Sequence, residues 1–182
     1  MSRVGIYGGT FDPIHNGHLK VVRQLIEKKL IDYLLVIPAG EPLLRQNAPV
    51  ASGPARLTMC QLAISSLPES ISVLVEVSPL EILRTGPSYA IDTVEEVQRR
   101  FPNDEIYLIV GADAFSKIDQ WHRSEELRQL VSIISINRPG YAENGIDIDA
   151  LDVSASEIRS SASVDVPEIV QGFIRENRLY DN

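Results

Sequence analysis

Two of the three histidines in this chain, His15 and His18, stand inside the run Gly8-Gly9-Thr10-Phe11-Asp12-Pro13-Ile14-His15-Asn16-Gly17-His18. Val4-Gly5-Ile6-Tyr7 before it reads as a short buried strand, and Leu19, Val22, Leu25 and Ile26 after it recur at helical spacing. A glycine-rich turn between strand and helix presents the backbone N–H groups of the helix start, and the helix dipole adds about half a positive charge there. Glycine lets a ligand approach the main chain closely. The combination suits an anion, and a phosphate in particular. His15 and His18 are three apart, so they share a face once the helix has begun. An imidazole N–H donating to a charged oxygen contributes roughly 1.5–3 kcal/mol. Two plainer readings compete: one histidine caps the helix while the other packs in the core, or Asp12, His15 and His18 bind a metal. The first leaves the pairing in one turn unexplained. The second lacks a further cluster to complete the ligand shell, so no metal ligands are assigned.

Those residues need a scaffold, and the rest of the chain alternates β-like and helical runs. Strands are expected at Val4–Tyr7, Tyr33–Ile37, Ser72–Val77, Ile106–Val110 and Ser132–Ile136, with helices near Leu19–Leu30, Pro54–Leu67, Ser88–Phe101 and Ser124–Leu130. Such alternation predicts an α/β fold of right-handed βαβ units, a Rossmann-like doubly wound parallel sheet. Ligands in that architecture bind beyond the carboxyl ends of the strands, near the reversal of strand order. The first strand runs into the glycine turn and the fourth into Gly111-Ala112-Asp113, so both motifs fall on the binding edge. Pro167 is expected to open a last helix whose Val170, Phe173 and Ile174 face the core, giving a C-terminal helical segment.

Composition bounds the possibilities. At 182 residues and 44% hydrophobic, one domain spanning 1–182 is the default. The single Cys60 excludes an internal disulfide and, between Leu57 and Ile64, reads as core filling in a reducing compartment. No run of 18 apolar residues and no signal peptide is present, so a soluble cytoplasmic protein is expected, without a membrane partner. The net charge of −8 argues against nucleic acid as partner, because a basic face supplies that affinity. Anion binding must therefore be local, and Arg45, Arg56, Arg138 and Arg159 are candidates to line a positive pocket.

A second anion site is expected at Val153-Ser154-Ala155-Ser156-Glu157-Ile158-Arg159, where a serine caps a helix whose first turn carries an arginine. Two such sites in one domain suit a polyphosphate lying between them. Neither G-x-x-x-x-G-K-[ST] nor a serine-nucleophile elbow occurs. Direct transfer follows, in which the acceptor brings the attacking oxygen and the protein supplies position and electrostatics.

With its G-G-T-F-D-P-x-H-x-G-H run and the S-x-x-x-x-R stretch from Ser154 to Arg159, the chain resembles the nucleotidylyltransferase superfamily. Pro87-Ser88-Tyr89, Gly111-Ala112-Asp113 followed by Trp121, and Arg138-Pro139-Gly140-Tyr141 make it most similar to bacterial nicotinate-nucleotide adenylyltransferases, over essentially the whole chain. The resemblance implies Mg²⁺-assisted adenylyl transfer from ATP to nicotinate mononucleotide, giving nicotinate adenine dinucleotide and pyrophosphate. It implies His15 and His18 as catalytic residues, with His18 stabilising the α-phosphate in flight. Gly8, Gly9, Thr10, Phe11, Arg45, Ser154, Ile158 and Arg159 would hold ATP. Ser88, Tyr89, Ala90, Asp113, Trp121, His122 and Arg138 would hold the nicotinate nucleotide, Trp121 by stacking on its ring. The chain departs from the family at Leu44, where a histidine is usual, and at Ala90, where a threonine is usual. A phosphopantetheine adenylyltransferase and a non-catalytic nucleotide-binding sensor are the other readings. Homo-oligomerisation is compatible with all three.

Overall fold

Residues 1–40, 48–137 and 165–180 are described by the computed structural model. Five strands, β1 (Arg3–Gly9), β2 (Tyr33–Pro38), β3 (Val75–Val77), β4 (Glu105–Gly111) and β5 (Ser132–Ile136), form one parallel sheet in the order β3-β2-β1-β4-β5. Between them run α1 (Asn16–Glu27), α2 (Gly53–Ser65), α3 (Glu69–Ser72), α4 (Leu80–Leu83), α5 (Ala90–Arg100), α6 (Ala112–Phe115) and α7 (Ser124–Leu130), and α8 (Glu168–Glu176) follows. This is the doubly wound α/β fold expected from the alternation.

Successive side chains of a strand point to opposite faces, and here each face has its own core. Tyr7, Leu34, Val36, Val75, Ile109 and Ile134 pack with the apolar sides of α1, α2 and α8. Val4, Ile6, Leu35, Ile37, Ile106, Leu108 and Val110 pack with Ile91, Val94 and Val97 of α5 and Leu127 of α7. The chain winds from β1 to β3 on one face, crosses back to β4, and continues on the other. Strand order therefore reverses between β1 and β4, which pair from Arg3–Glu105 to Tyr7–Ile109.

Leu19, Val22, Leu25 and Ile26 are all buried, as their spacing predicts. Cys60 is fully buried on α2, and burial pushes its thiol pKa up. Val170 is fully buried, with Phe173 and Ile174 packed against the same core. The third strand departs from expectation: Ser72 ends α3, and the strand begins at Val75 opposite Leu34. Pro68 sets this boundary, because its carbonyl accepts the N–H groups of Ile71 and Ser72 and closes a helical turn ahead of the strand. Helix α1 starts at Asn16 and ends at Glu27, where Lys29 adopts a left-handed φ of 53° and stops the helix.

Candidate active site

Gly8 and Gly9 end β1 beside the β1/β4 reversal, and Gly111 ends β4 at the same edge, followed by Asp113 in the first turn of α6. Gly8 is exposed, and a Cβ built there would meet nothing within 4 Å. A Cβ at Gly9 would stand 2.9 Å from the Phe11 ring, so glycine is what lets that ring fold back beneath the strand end. Phe11 does so with a left-handed φ of 47°, is 2% exposed, and meets the Tyr7 ring edge-on at 5.6 Å. Thr10, half-buried, hands the chain from Gly9 to this corner.

The two histidines divide their work. His15 is the buried N-cap of α1, with extended φ −140° and ψ 172°, and so does not share the helix face expected for it. His18 is the third residue of the helix, half-buried, with its ring 3.7 Å from that of His15 and edge-on to Phe11 at 5.0 Å. The His15 N–H donates to His18 Nδ1 at 3.2 Å. With Nδ1 accepting, the ring proton sits on Nε2, so His18 offers an N–H donor without needing a positive charge. No acidic residue occupies the first turn of α1 to neutralise its dipole. Of its backbone donors, Asn16 N–H is taken by the Asp165 carbonyl at 3.0 Å and His18 N–H by the His15 carbonyl at 2.9 Å.

Asp12 does not join the histidines as a metal ligand. Its carboxylate is 2% exposed and accepts the N–H groups of Val50 at 2.8 Å and Ala51 at 3.0 Å. Arg56, expected to line an anion pocket, is instead buried at 2% exposure. It donates to the carbonyls of Thr10 at 2.8 Å, Ala51 at 3.3 Å and Gly40 at 3.4 Å, holding the turns after β1 and β2 together. Arg45, Arg138, Ser154, Ile158 and Arg159, together with Leu44, lie outside the described residues.

On the α5 side, Tyr89 is the N-cap of α5 and its ring lies 4.3 Å from that of His122, which brings two of the candidate acceptor residues into contact. The Ser88 hydroxyl accepts from Arg84, which also bonds Thr93 at 3.1 Å and Glu96 at 3.0 Å. Its side chain is therefore spent on the loop itself, in a cluster completed by Glu81, which accepts from Thr93 at 2.8 Å. Burial pushes the Glu81 carboxyl above its ordinary pKa, the Thr93 bond opposing. Spacing alone gave no sign of this network, although the Arg84-to-Glu96 stretch is rich in polar residues. Helix α5 begins with Asp92 and Thr93 N–H bonding the Tyr89 carbonyl, so the N–H groups of Ala90 and Ile91 lie ahead of the first helical bond. Trp121 packs half-buried on the core under α5 and α7, and its indole N–H is buried with no acceptor among the described residues.

The cytidylyltransferase-like family matches residues 6–162, from β1 through the S-x-x-x-x-R stretch. The nicotinate-nucleotide adenylyltransferase of Bacillus subtilis (strain 168) is 34% identical over 194 residues, covering 100% of both chains. A probable nicotinate-nucleotide adenylyltransferase of Thermus thermophilus is 35% identical over 98% of this chain and 99% of its own. The chain belongs to the nicotinate-nucleotide adenylyltransferase family. Its fold is likewise that of a Plasmodium falciparum nicotinic acid mononucleotide adenylyltransferase complexed with NaAD, at TM-score 0.84 and 20% identity, covering 100% of this chain and 98% of that one.

For a member of the nicotinate-nucleotide adenylyltransferase family, the open space over Gly8 has a testable meaning. Gly8→Ala adds a methyl where the fold has room and a nucleotide would have little. The variant is expected to melt within about 2 °C of the parent, because surface changes stay near ±0.5 kcal/mol. Its KM for ATP should rise about tenfold, the cost of roughly 1.4 kcal/mol of crowding. An unchanged KM would show that no ligand lies over Gly8.

Proposed function

We propose that this protein transfers the adenylyl group of ATP to the 5′-phosphate of nicotinate mononucleotide, releasing pyrophosphate and forming nicotinate adenine dinucleotide for NAD biosynthesis. One observation carries the reading: the glycine turn and the His18 donor stand at the reversal of strand order between β1 and β4. An acceptor phosphate oxygen attacks the α-phosphorus, the new P–O bond forms, and the bridging bond to the β-phosphate breaks with its electrons leaving on pyrophosphate. No protein nucleophile is needed. The residues position the partners and stabilise charge.

In this reading Gly8, Gly9, Thr10 and Phe11 shape the floor of the ATP site, and His18 Nε2–H bonds an α-phosphate oxygen. Arg45, Ser154, Ile158 and Arg159 hold the rest of the ATP on the strength of the family motif alone. Asp113, in the first turn of α6, contacts the bound nicotinate nucleotide. Mg²⁺ takes phosphate and water oxygens in preference to a full protein shell, and when bound it would neutralise the leaving pyrophosphate. Among the described residues no group of three or more His, Cys, Asp or Glu side chains is gathered for a metal, so the triphosphate itself is its expected carrier. One domain over 1–182, working in the cytoplasm, completes the proposal. Among the described residues no helix is long and apolar enough to cross a membrane.

The acceptor is chosen on the α5 side of the sheet. The α5 N-terminus, with the main chain of Ala90 and Ile91 presented ahead of the helix, suits the nicotinate carboxylate. Tyr89, His122 and Trp121 supply flat faces for the ring, and Arg138 joins them on the strength of the family resemblance alone. An amide in place of the carboxylate turns its NH₂ toward a donor and leaves that donor unpaired, at about 1–3 kcal/mol. Nicotinate mononucleotide should therefore be preferred over its amide at least roughly tenfold in kcat/KM. Trp121→Ala should weaken both acceptors and leave their ratio nearly intact. The chain has a single tryptophan, so its fluorescence reports on that indole alone, and titration with the acceptor should change it. Release of pyrophosphate from ATP in the presence of nicotinate mononucleotide is the deciding assay. Binding of ATP without turnover would favour a nucleotide sensor, and equal use of the two acceptors would overturn the backbone-donor account.

A further inference from the structure

We infer that Tyr180 is a positioning residue for the phosphate turn, acting through Asp12. The inference rests on the reading that Gly8–His18 holds the ATP phosphates. The Tyr180 hydroxyl donates to Asp12 Oδ1 at 2.7 Å, across 168 residues of chain. That carboxylate lies inside the glycine turn, and Val50 and Ala51 N–H bond it from the segment leading into α2. A second tie joins the same regions: Asn16 Nδ2 donates to Asp165 Oδ1 at 2.7 Å, beside the Asn16 N–H bond to the Asp165 carbonyl. The two ends of the segment 165–180 thus hold the two flanks of the corner that runs from Asp12 to Asn16.

The backbone points the same way. After α8, whose Val170 is fully buried, Arg178 and Tyr180 take left-handed φ values of 50° and 66°. Residues with a Cβ occupy that region only when surrounding contacts hold them there. Phe11, directly before Asp12, is also left-handed, so the aromatic floor of the turn is set by the residue whose neighbour Tyr180 grips.

The functional consequence is twofold. A carboxylate within an anion-binding turn repels a triphosphate, and each N–H or O–H donated to it weakens the field it casts. Small displacements of groups that align reacting atoms also carry large rate penalties. Loss of the Tyr180 hydroxyl should therefore be felt on the ATP side and spare the acceptor side.

The test is steady-state kinetics on the full-length protein carrying Tyr180→Phe, Asp12→Asn or both, with melting temperatures measured in parallel. Tyr180→Phe should lower kcat/KM for ATP about tenfold while KM for nicotinate mononucleotide stays within about twofold. In the Asp12→Asn background the same change should have little further effect, because interacting residues are not additive. Parent-like kinetics in Tyr180→Phe, or equal losses for both substrates that track the melting temperature, would overturn the inference. His18→Ala, assayed alongside, separates the two layers. A crippled His18→Ala with a normal Tyr180→Phe removes only the role of Tyr180, whereas a fully active His18→Ala removes the phosphate reading and the inference with it.

Discussion

Replacing His18 with alanine is expected to lower kcat by about 10²-fold or more, roughly 2.7 kcal/mol, with a smaller change in ATP affinity. The geometry explains why the loss should fall on the chemical step. The His18 ring is fixed by three aromatic neighbours, His15 at 3.7 Å, Phe11 at 5.0 Å and Tyr7 at 6.2 Å between centroids. Its Nδ1 accepts the His15 N–H, which puts the ring proton on Nε2. A donor so fixed costs little reorganisation when charge builds on the α-phosphate oxygens, and that is where electrostatic stabilisation is most effective. Measured under single-turnover conditions, the variant should show slow adenylyl transfer at saturating ATP. Near-normal kcat with a raised KM would reassign His18 to ground-state binding.

How much of this was legible depends on how local each interaction is. The glycine turn, the periodic faces of α1 and α8, and the alternation behind the doubly wound sheet are short-range patterns, and they were readable directly. The division of labour between His15 and His18 was not, because it turns on where α1 begins. The pair shares a face only if both lie within the helix, and His15 is the cap. Nothing in the spacing shows that Arg84 reaches the Ser88 hydroxyl from the preceding turn. Asp12 and Tyr180 are harder still. Their partners stand 38, 39 and 168 residues away, beyond any periodicity. The candidate site residues announced themselves by type and spacing, whereas the contacts that hold the glycine turn in place became visible only in three dimensions.

Arg56 shows the same distinction with the opposite sign, and it yields the largest expected effect on stability. An arginine near an anion motif reads as an anion ligand, yet this one is buried and directs its guanidinium at the carbonyls of Thr10, Ala51 and Gly40. Those carbonyls belong to the turn after β1, the lead into α2 and the turn after β2, three segments that this one side chain ties together. Arg56→Met keeps the apolar stem but removes every donor, leaving buried carbonyls to lose about 1–3 kcal/mol each where no water replaces the bond. Relief of the guanidinium's own desolvation offsets part of this. A net loss of about 2–3 kcal/mol is expected, which for a chain of this size lowers Tm by roughly 5–10 °C. Arg56→Lys should recover little, since one ammonium cannot span the three acceptors that a planar fork reaches. Calorimetry separates this account from the anion-ligand one: ATP added in excess should raise the Tm of Arg56→Met and of the parent by similar amounts. If Arg56→Met melted at the parent temperature but no longer gained stability from ATP, the arginine would be a phosphate ligand after all, and the three carbonyl contacts would be incidental to the fold.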